Sequence, residues 1–179
     1  ALAARGALRS GAGLVTVATP RRCQATVAAS MPEFMTIGLE DSPEGTVRAE
    51  AADAVLAERC DVLAVGPGLG RSDDVSKFVR AVADRATTPV VFDADAIHAL
   101  AGGLDEGGGR EHAVVLTPHA GEMAKLLGET AEYVQINRID VARRVATSSR
   151  VFVVLKGSRT LIATPTGDVF VNLTGNPGL

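Results

Sequence analysis

The sequence predicts a three-layer α/β domain, with a largely parallel central sheet and an antiparallel hairpin near the C-terminal end. Short apolar runs at 61–65, 89–92, 113–116 and 151–155 read as buried strands, and helical stretches separate them. Beyond residue 155, two further β-like runs flank Pro165-Thr166-Gly167, a hairpin signal. The composition agrees. At 46% hydrophobic and only 3% aromatic, the core must be Val, Ala, Leu and Ile, which suits parallel strands under Ala-rich helices. A chain of 179 residues is sized for one domain, or for most of a larger one, and no linker or internal repeat divides it.

Taken in order, residues 1–9 are Ala/Leu/Arg-rich and helical, with Gly11 as the stop. Residues 13–18 read as a strand ended by Thr19-Pro20. Residues 25–29 fit a short helix or a strand, and 31–38 a loop or an edge strand. The Asp41-Ser42-Pro43-Glu44-Gly45 segment is a turn, and 50–59 a short helix. The strand at 61–65 runs into Gly66-Pro67-Gly68-Leu69-Gly70. A helix follows over 73–86, with Val75, Phe78, Val79 and Val82 on one stripe and Asp73 and Asp74 in its first turn, where they suit the dipole. The strand at 89–92 closes on Asp93-Ala94-Asp95, then come a short helix over 96–101 and a Gly-rich, flexible connection over 102–109. After the strand at 113–116, Pro118 must end the pairing because it has no N–H. The next helix is expected to open at Glu122. Another, capped by Thr130, should run to about residue 148 with Ile136, Ile139, Ala142, Val145 and Ala146 on its apolar side.

Charge and cysteine usage exclude several function classes. With 18 basic and 21 acidic residues the net charge is −3, and no basic run exceeds two residues, so neither nucleic acid nor an anionic membrane is an expected partner. Cys23 and Cys60 lie far apart without metal-site spacing and read as reduced structural thiols. No apolar run approaches ~18 residues and neither end resembles a signal peptide, so a cytoplasmic protein is expected.

The chemistry-bearing residues fall at strand ends, where open α/β sheets bind ligands. Gly66, Gly68 and Gly70 form either a ligand-binding loop or a tight structural turn. A dinucleotide fingerprint is disfavoured, because its third glycine would fall on Arg71, and the ending of a Walker A loop is absent. Asp93 and Asp95 could hold Mg²⁺ or orient a base; equally, Asp95 could cap the following helix. His98 and His112 read as surface or packing residues. His119, fixed between Pro118 and a helix start, is a candidate functional group. Glu122 is either a dipole-favoured residue or an acid of a metal–phosphate network. Lys156-Gly157-Ser158-Arg159-Thr160 offers two cations, two hydroxyls and a glycine amide, as an oligophosphate requires; the alternative is a solvated turn.

Six stretches together resemble the ribokinase-like NAD(P)H-hydrate dehydratase family: ALRSGAGLVTVATP, VLAVGPGLGRS, VVFDADAIHAL, VLTPHAGEMAKLLG, VVLKGSRTLIATP and VNLTGNPGL. They cover the chain nearly end to end, and TPHxGE with LKGxxT and NPG is the specific combination. The resemblance implies an enzyme that returns hydrated NADH or NADPH to the working cofactor, using ADP or ATP with Mg²⁺. The nucleotide would phosphorylate the hydroxyl of the hydrated ring, and elimination of phosphate would restore the double bond. Gly66, Gly68, Gly70 and His119 would then contact the hydrate, Lys156 to Thr160 the adenine nucleotide, and Glu122 the magnesium network. A homo-oligomer is expected, with an epimerase fused to it or working beside it.

The resemblance also implies a Gly-x-Gly-Asp loop, carrying the activating aspartate, soon after Asn176-Pro177-Gly178, and a glycine-containing strand ahead of Ala1. Neither lies within residues 1–179, so no catalytic residue is assigned. The chain is expected to be part of a longer enzyme, inactive as it stands. The nearest rivals are a thiazole or hydroxymethylpyrimidine kinase of the same superfamily, disfavoured by TPHAGE in place of Asn-x-x-Glu, and a non-catalytic nucleotide-binding module.

Overall fold

A computed structural model of the chain describes residues 1–102 and 111–175. Most of the Gly-rich connection and the Asn-Pro-Gly segment at 176–178 lie outside the described residues. The chain divides into two compact units, one of Ala1–Arg59 with Leu69–Val82, the other of Cys60–Gly68 with Ala83–Leu179.

In the first unit, helix α1 (Leu2–Arg9) ends as expected at Gly11, whose N–H and that of Ala12 return to the carbonyls of Leu8 and Ala7. Strands β1 (Thr16–Pro20) and β2 (Met35–Leu39) pair in parallel as a sheet of their own, connected by α2 (Arg21–Ala29). The segments that fitted two structures each are thus a helix and a strand. The turn at 41–45 forms, with the Gly45 N–H donating to the Ser42 carbonyl, and α3 (Ala51–Ala57) follows. Helix α4 (Asp73–Arg85) buries the predicted stripe of Val75, Phe78, Val79 and Val82. Its cap is Ser72, whose Oγ accepts from the Val75 N–H.

The second unit is built on one six-stranded sheet, hydrogen-bonded in the order β3 (Leu63–Val65), β4 (Val90–Phe92), β5 (Val114–Leu116), β6 (Phe152–Leu155), β7 (Leu161–Ala163), β8 (Val169–Val171). The first four are parallel and the last two antiparallel, as the hairpin signal predicts. Helices α5 (Asp95–Ala99), α6 (Ala120–Leu127), α7 (Ala131–Ile136) and α8 (Arg138–Ser148) lie between strands in the chain. From β4 to β7 one face of the sheet is buried, with Val90, Phe92, Leu116, Val153, Leu155 and Ala163 among its residues. Alternation places Val91, Val115, Val154, Ile162 and Phe170 on the other face, half-buried to exposed. Among the described residues no helix is long and apolar enough to cross a membrane.

Two helix boundaries differ from expectation. Helix α6 begins at Ala120, two residues early, because its cap is His119 and not one of the usual Ser, Thr, Asp or Asn. The helix expected over 130–148 is two helices. Thr130 Oγ1 caps the first through the Tyr133 N–H, but Asn137, at φ −113° and ψ 30°, breaks the spiral. The break resets the phase: Val141, Ala142, Val145 and Ala146 are buried, whereas Ile136 and Ile139 are exposed.

Candidate functional site

Parallel pairing puts the carboxyl ends of β3 to β6 side by side. Val65 is in register with Phe92, Phe92 with Leu116, and Leu116 with Val153. The residues after each strand therefore reach one edge: Gly66, Asp93, the Thr117-Pro118-His119 loop and Lys156. Two of these loops are joined directly, since the Lys156 N–H donates to the Pro118 carbonyl at 2.8 Å.

His119 and Glu122 form a reciprocal cap. The His119 Nδ1 accepts from the N–H groups of Gly121 (3.0 Å) and Glu122 (3.2 Å), and Glu122 Oε2 accepts from the His119 N–H (2.8 Å). With Nδ1 used as an acceptor, a neutral ring must carry its proton on Nε2. That atom lies 3.4 Å from Glu122 Oε1. The Glu122 carboxylate is buried while the His119 side chain is 58% exposed. So the histidine has a locked orientation, a defined tautomer and an accessible edge.

Lys156 reaches back over the same strand ends. Its Nζ donates to Asp93 Oδ1 at 2.6 Å and lies 3.8 Å from Glu122 Oε2. Burial alone would raise the Asp93 carboxyl, but hydrogen bonds from Lys156 and Thr117 outweigh it and hold the group below the ordinary aspartate range. The backbone that presents Asp93 is tightly constrained. Its N–H donates to the Val65 carbonyl and its carbonyl accepts from the Ala96 N–H. That carbonyl also presses on Gly66, which sits at φ 135°, and a Cβ on residue 66 would meet it at 1.6 Å. Ala94, at φ 51° and ψ −120°, holds a strained conformation that costs about 1–3 kcal/mol and recurs at functional sites.

Gly66, His119, Glu122 and Lys156 are thus linked in one network, with the exposed Gly157, Ser158 and Arg159 continuing from it. Gly68 has open space around it; Gly70 belongs with the first unit, where a Cβ would meet the Thr46 methyl at 3.2 Å. Asp95 is not a cap: that position falls on Ala94, and Asp95 opens α5. Sequence reasoning treated Asp93 as a metal or base candidate beside Asp95 and missed it as the partner of Lys156. Sixty-three residues separate the two, and their meeting is legible only once β4 and β6 are known to end at one edge. Arg138, which binds the loop after β6, left no local signal at all.

Among the described residues no group of three or more His, Cys, Asp or Glu side chains is arranged to hold a metal. Glu122 Oε2 accepts from the His119 N–H and lies 3.8 Å from Lys156 Nζ, while Oε1 lies 3.4 Å from His119 Nε2. The donor set therefore does not make a resident Mg²⁺ cage. It fits only an ion that brings most of its ligands as phosphate oxygens and water, as Mg²⁺ commonly does.

The mostly parallel sheet with an antiparallel edge places the protein in the ribokinase-like class of α/β folds. Residues 1–179 match the family described as NAD(P)H-hydrate dehydratase, and the chain belongs to that family. A bifunctional NAD(P)H-hydrate repair enzyme from Moorella thermoacetica is 44% identical over 99% of this chain and 34% of its own length. An ADP-dependent (S)-NAD(P)H-hydrate dehydratase from Xanthomonas campestris is 36% identical over 99% of this chain and 60% of its own. The crystal structure of an ADP/ATP-dependent NAD(P)H-hydrate dehydratase from Bacillus subtilis, co-crystallized with ATP/Mg²⁺, superposes with a TM-score of 0.81. It is 34% identical, over 98% of this chain and 60% of that one. The chain thus spans between about a third and three-fifths of the length of these three relatives.

Proposed function

We propose that the chain carries the nucleotide-dependent dehydration of NADHX and NADPHX to NADH and NADPH, giving AMP and phosphate from ADP, or ADP and phosphate from ATP. The observation that carries this is the junction of the two motif loops: Lys156, at the head of the nucleotide loop, is bonded through its backbone to Pro118 and through its ammonium to Asp93, beside the Glu122 that caps with His119. In the proposed reaction the hydroxyl oxygen of the hydrate attacks the terminal phosphorus of the nucleotide. The bond to AMP (or ADP) breaks and the hydroxyl proton passes to a base. Phosphate then leaves the ring with a proton from the neighbouring carbon, and the double bond returns. His119 and the Gly66–Gly68 turn orient the hydrate, and Lys156 to Thr160 hold the nucleotide phosphates. Mg²⁺ carried by the nucleotide would neutralise phosphate charge, with Glu122 as the acid facing it.

The base is proposed to come from a Gly-x-Gly-Asp loop, which residues 1–179 do not contain. These residues are proposed to form part of one ribokinase-like domain of a cytoplasmic, homo-oligomeric repair enzyme, with an epimerase fused to it or working beside it. The test is to incubate the full-length protein with hydrated NADH plus ADP or ATP and follow the NADH absorbance band. Its return with either nucleotide is the expected result. No return with either, alongside phosphorylation of a thiazole or hydroxymethylpyrimidine, would replace this reading with a small-molecule kinase.

A further inference from the structure

The loop after β6 is shaped by a residue outside it. Arg138, at the start of α8, donates from Nη1 to the Ser158 carbonyl (2.6 Å) and from Nη2 to the carbonyls of Leu155 (3.2 Å) and Arg159 (3.5 Å). One planar fork thereby ties the buried last residue of β6 to the exposed turn beyond it. The Gly157 carbonyl is taken separately, by the Thr160 hydroxyl at 3.0 Å. The loop carbonyls of Gly157, Ser158 and Arg159 are therefore all committed, together with that of Leu155 at the strand end. Among the described residues, the N–H groups of Gly157, Ser158 and Arg159 have no acceptor. Gly157 fits this arrangement closely. It sits at φ 144°, and a Cβ there would stand 3.3 Å from Arg138 Nη2.

We propose that Arg138 is a positioning residue for nucleotide binding: it gathers the loop's carbonyl oxygens and so leaves the amides of residues 157–159 as donors for a phosphate group. The inference rests on the nucleotide-dependent reading above. A carbonyl turned toward a phosphate oxygen repels it, whereas an amide donates to it, so the peptide orientation decides the sign of the loop's field. Lysine cannot replace the arginine here, because a single ammonium cannot span three carbonyls with fork geometry.

The test uses the full-length protein and its Arg138→Lys, Arg138→Met and Gly157→Ala variants, with Arg143→Lys as control. Arg143 lies on the same helix and donates to the carbonyl of Gly167, in the distant hairpin turn. Calorimetric titration with ADP and with ATP should show affinity falling roughly tenfold in all three loop variants and unchanged in the control. In turnover, KM for nucleotide should rise while KM for the hydrate stays put. Equal binding by the Arg138 variants and the unaltered protein would overturn the proposal. So would an equal rise in both KM values, or the same loss in Arg143→Lys, since either marks general loosening. No binding of either nucleotide by the unaltered protein would refute the nucleotide-dependent reading itself, and this proposal with it.

Discussion

At His119 two demands meet on one side chain. Its Nδ1 closes the cap of α6 while its exposed edge is the proposed contact for the hydrate, so replacement by alanine removes both. His119→Ala should cost about 1 kcal/mol of stability, as lost caps do, together with hydrate turnover. His119→Asn keeps a capping acceptor but not the imidazole. It should retain the urea midpoint of the native protein and still raise KM for the hydrate. Urea melts and steady-state kinetics on the pair separate the roles; full activity in His119→Asn would reduce the histidine to a cap. The sequence could place His119 beside a helix start, but not identify it as the cap. Its neighbour Glu122, three residues on, completes a Ser/Thr-type box with an unusual acceptor in the first position.

The helices and strands divide by whether their signal is local. Helix α4 was legible because four large apolar residues share one stripe, and the β7–β8 hairpin because Pro165 and Gly167 punctuate it. The long helix over 130–148 was not, since Asn137 breaks it through its own backbone angles and no Pro or Gly announces the break. The separate β1–β2 sheet was equally hidden: strand partners are a property of the fold and not of either strand. The turn between β3 and the glycine loop shows what a strand end can demand. Gly66→Ala would drive a methyl group into the Asp93 carbonyl, so β3 and β4 could not both keep their places. The expected loss is on the order of 3 kcal/mol or more, measured by denaturant unfolding. A loss within a few tenths would mean that the turn relaxes freely.

Across the molecule, the pair between Asp93 and Lys156 clasps the ends of β4 and β6 over the loop that follows β5. Because the folded carboxyl titrates below its ordinary value of 3.8, its contribution to stability is present above that pH and is lost as pH falls through the folded value. Asp93→Asn should therefore be less stable than the native protein near neutral pH, and the gap should close in acid. Thermal melts of both proteins from pH 7 downward give the comparison; a gap independent of pH would show that the carboxylate charge is not what matters. Asp41, held low by its hydrogen bond from Arg22, titrates in the same window and is common to both proteins, so it cancels.

Among the described residues, the strands of the larger sheet are bonded in the order in which the ribosome makes them, β3 through β8, with none inserted later between two earlier ones. Each new strand therefore meets an edge already built from the chain just before it, and the sheet can lengthen at the pace of synthesis. The clasp between Asp93 and Lys156 needs both β4 and the end of β6, so the strand-end cluster cannot be complete before Lys156 has been made.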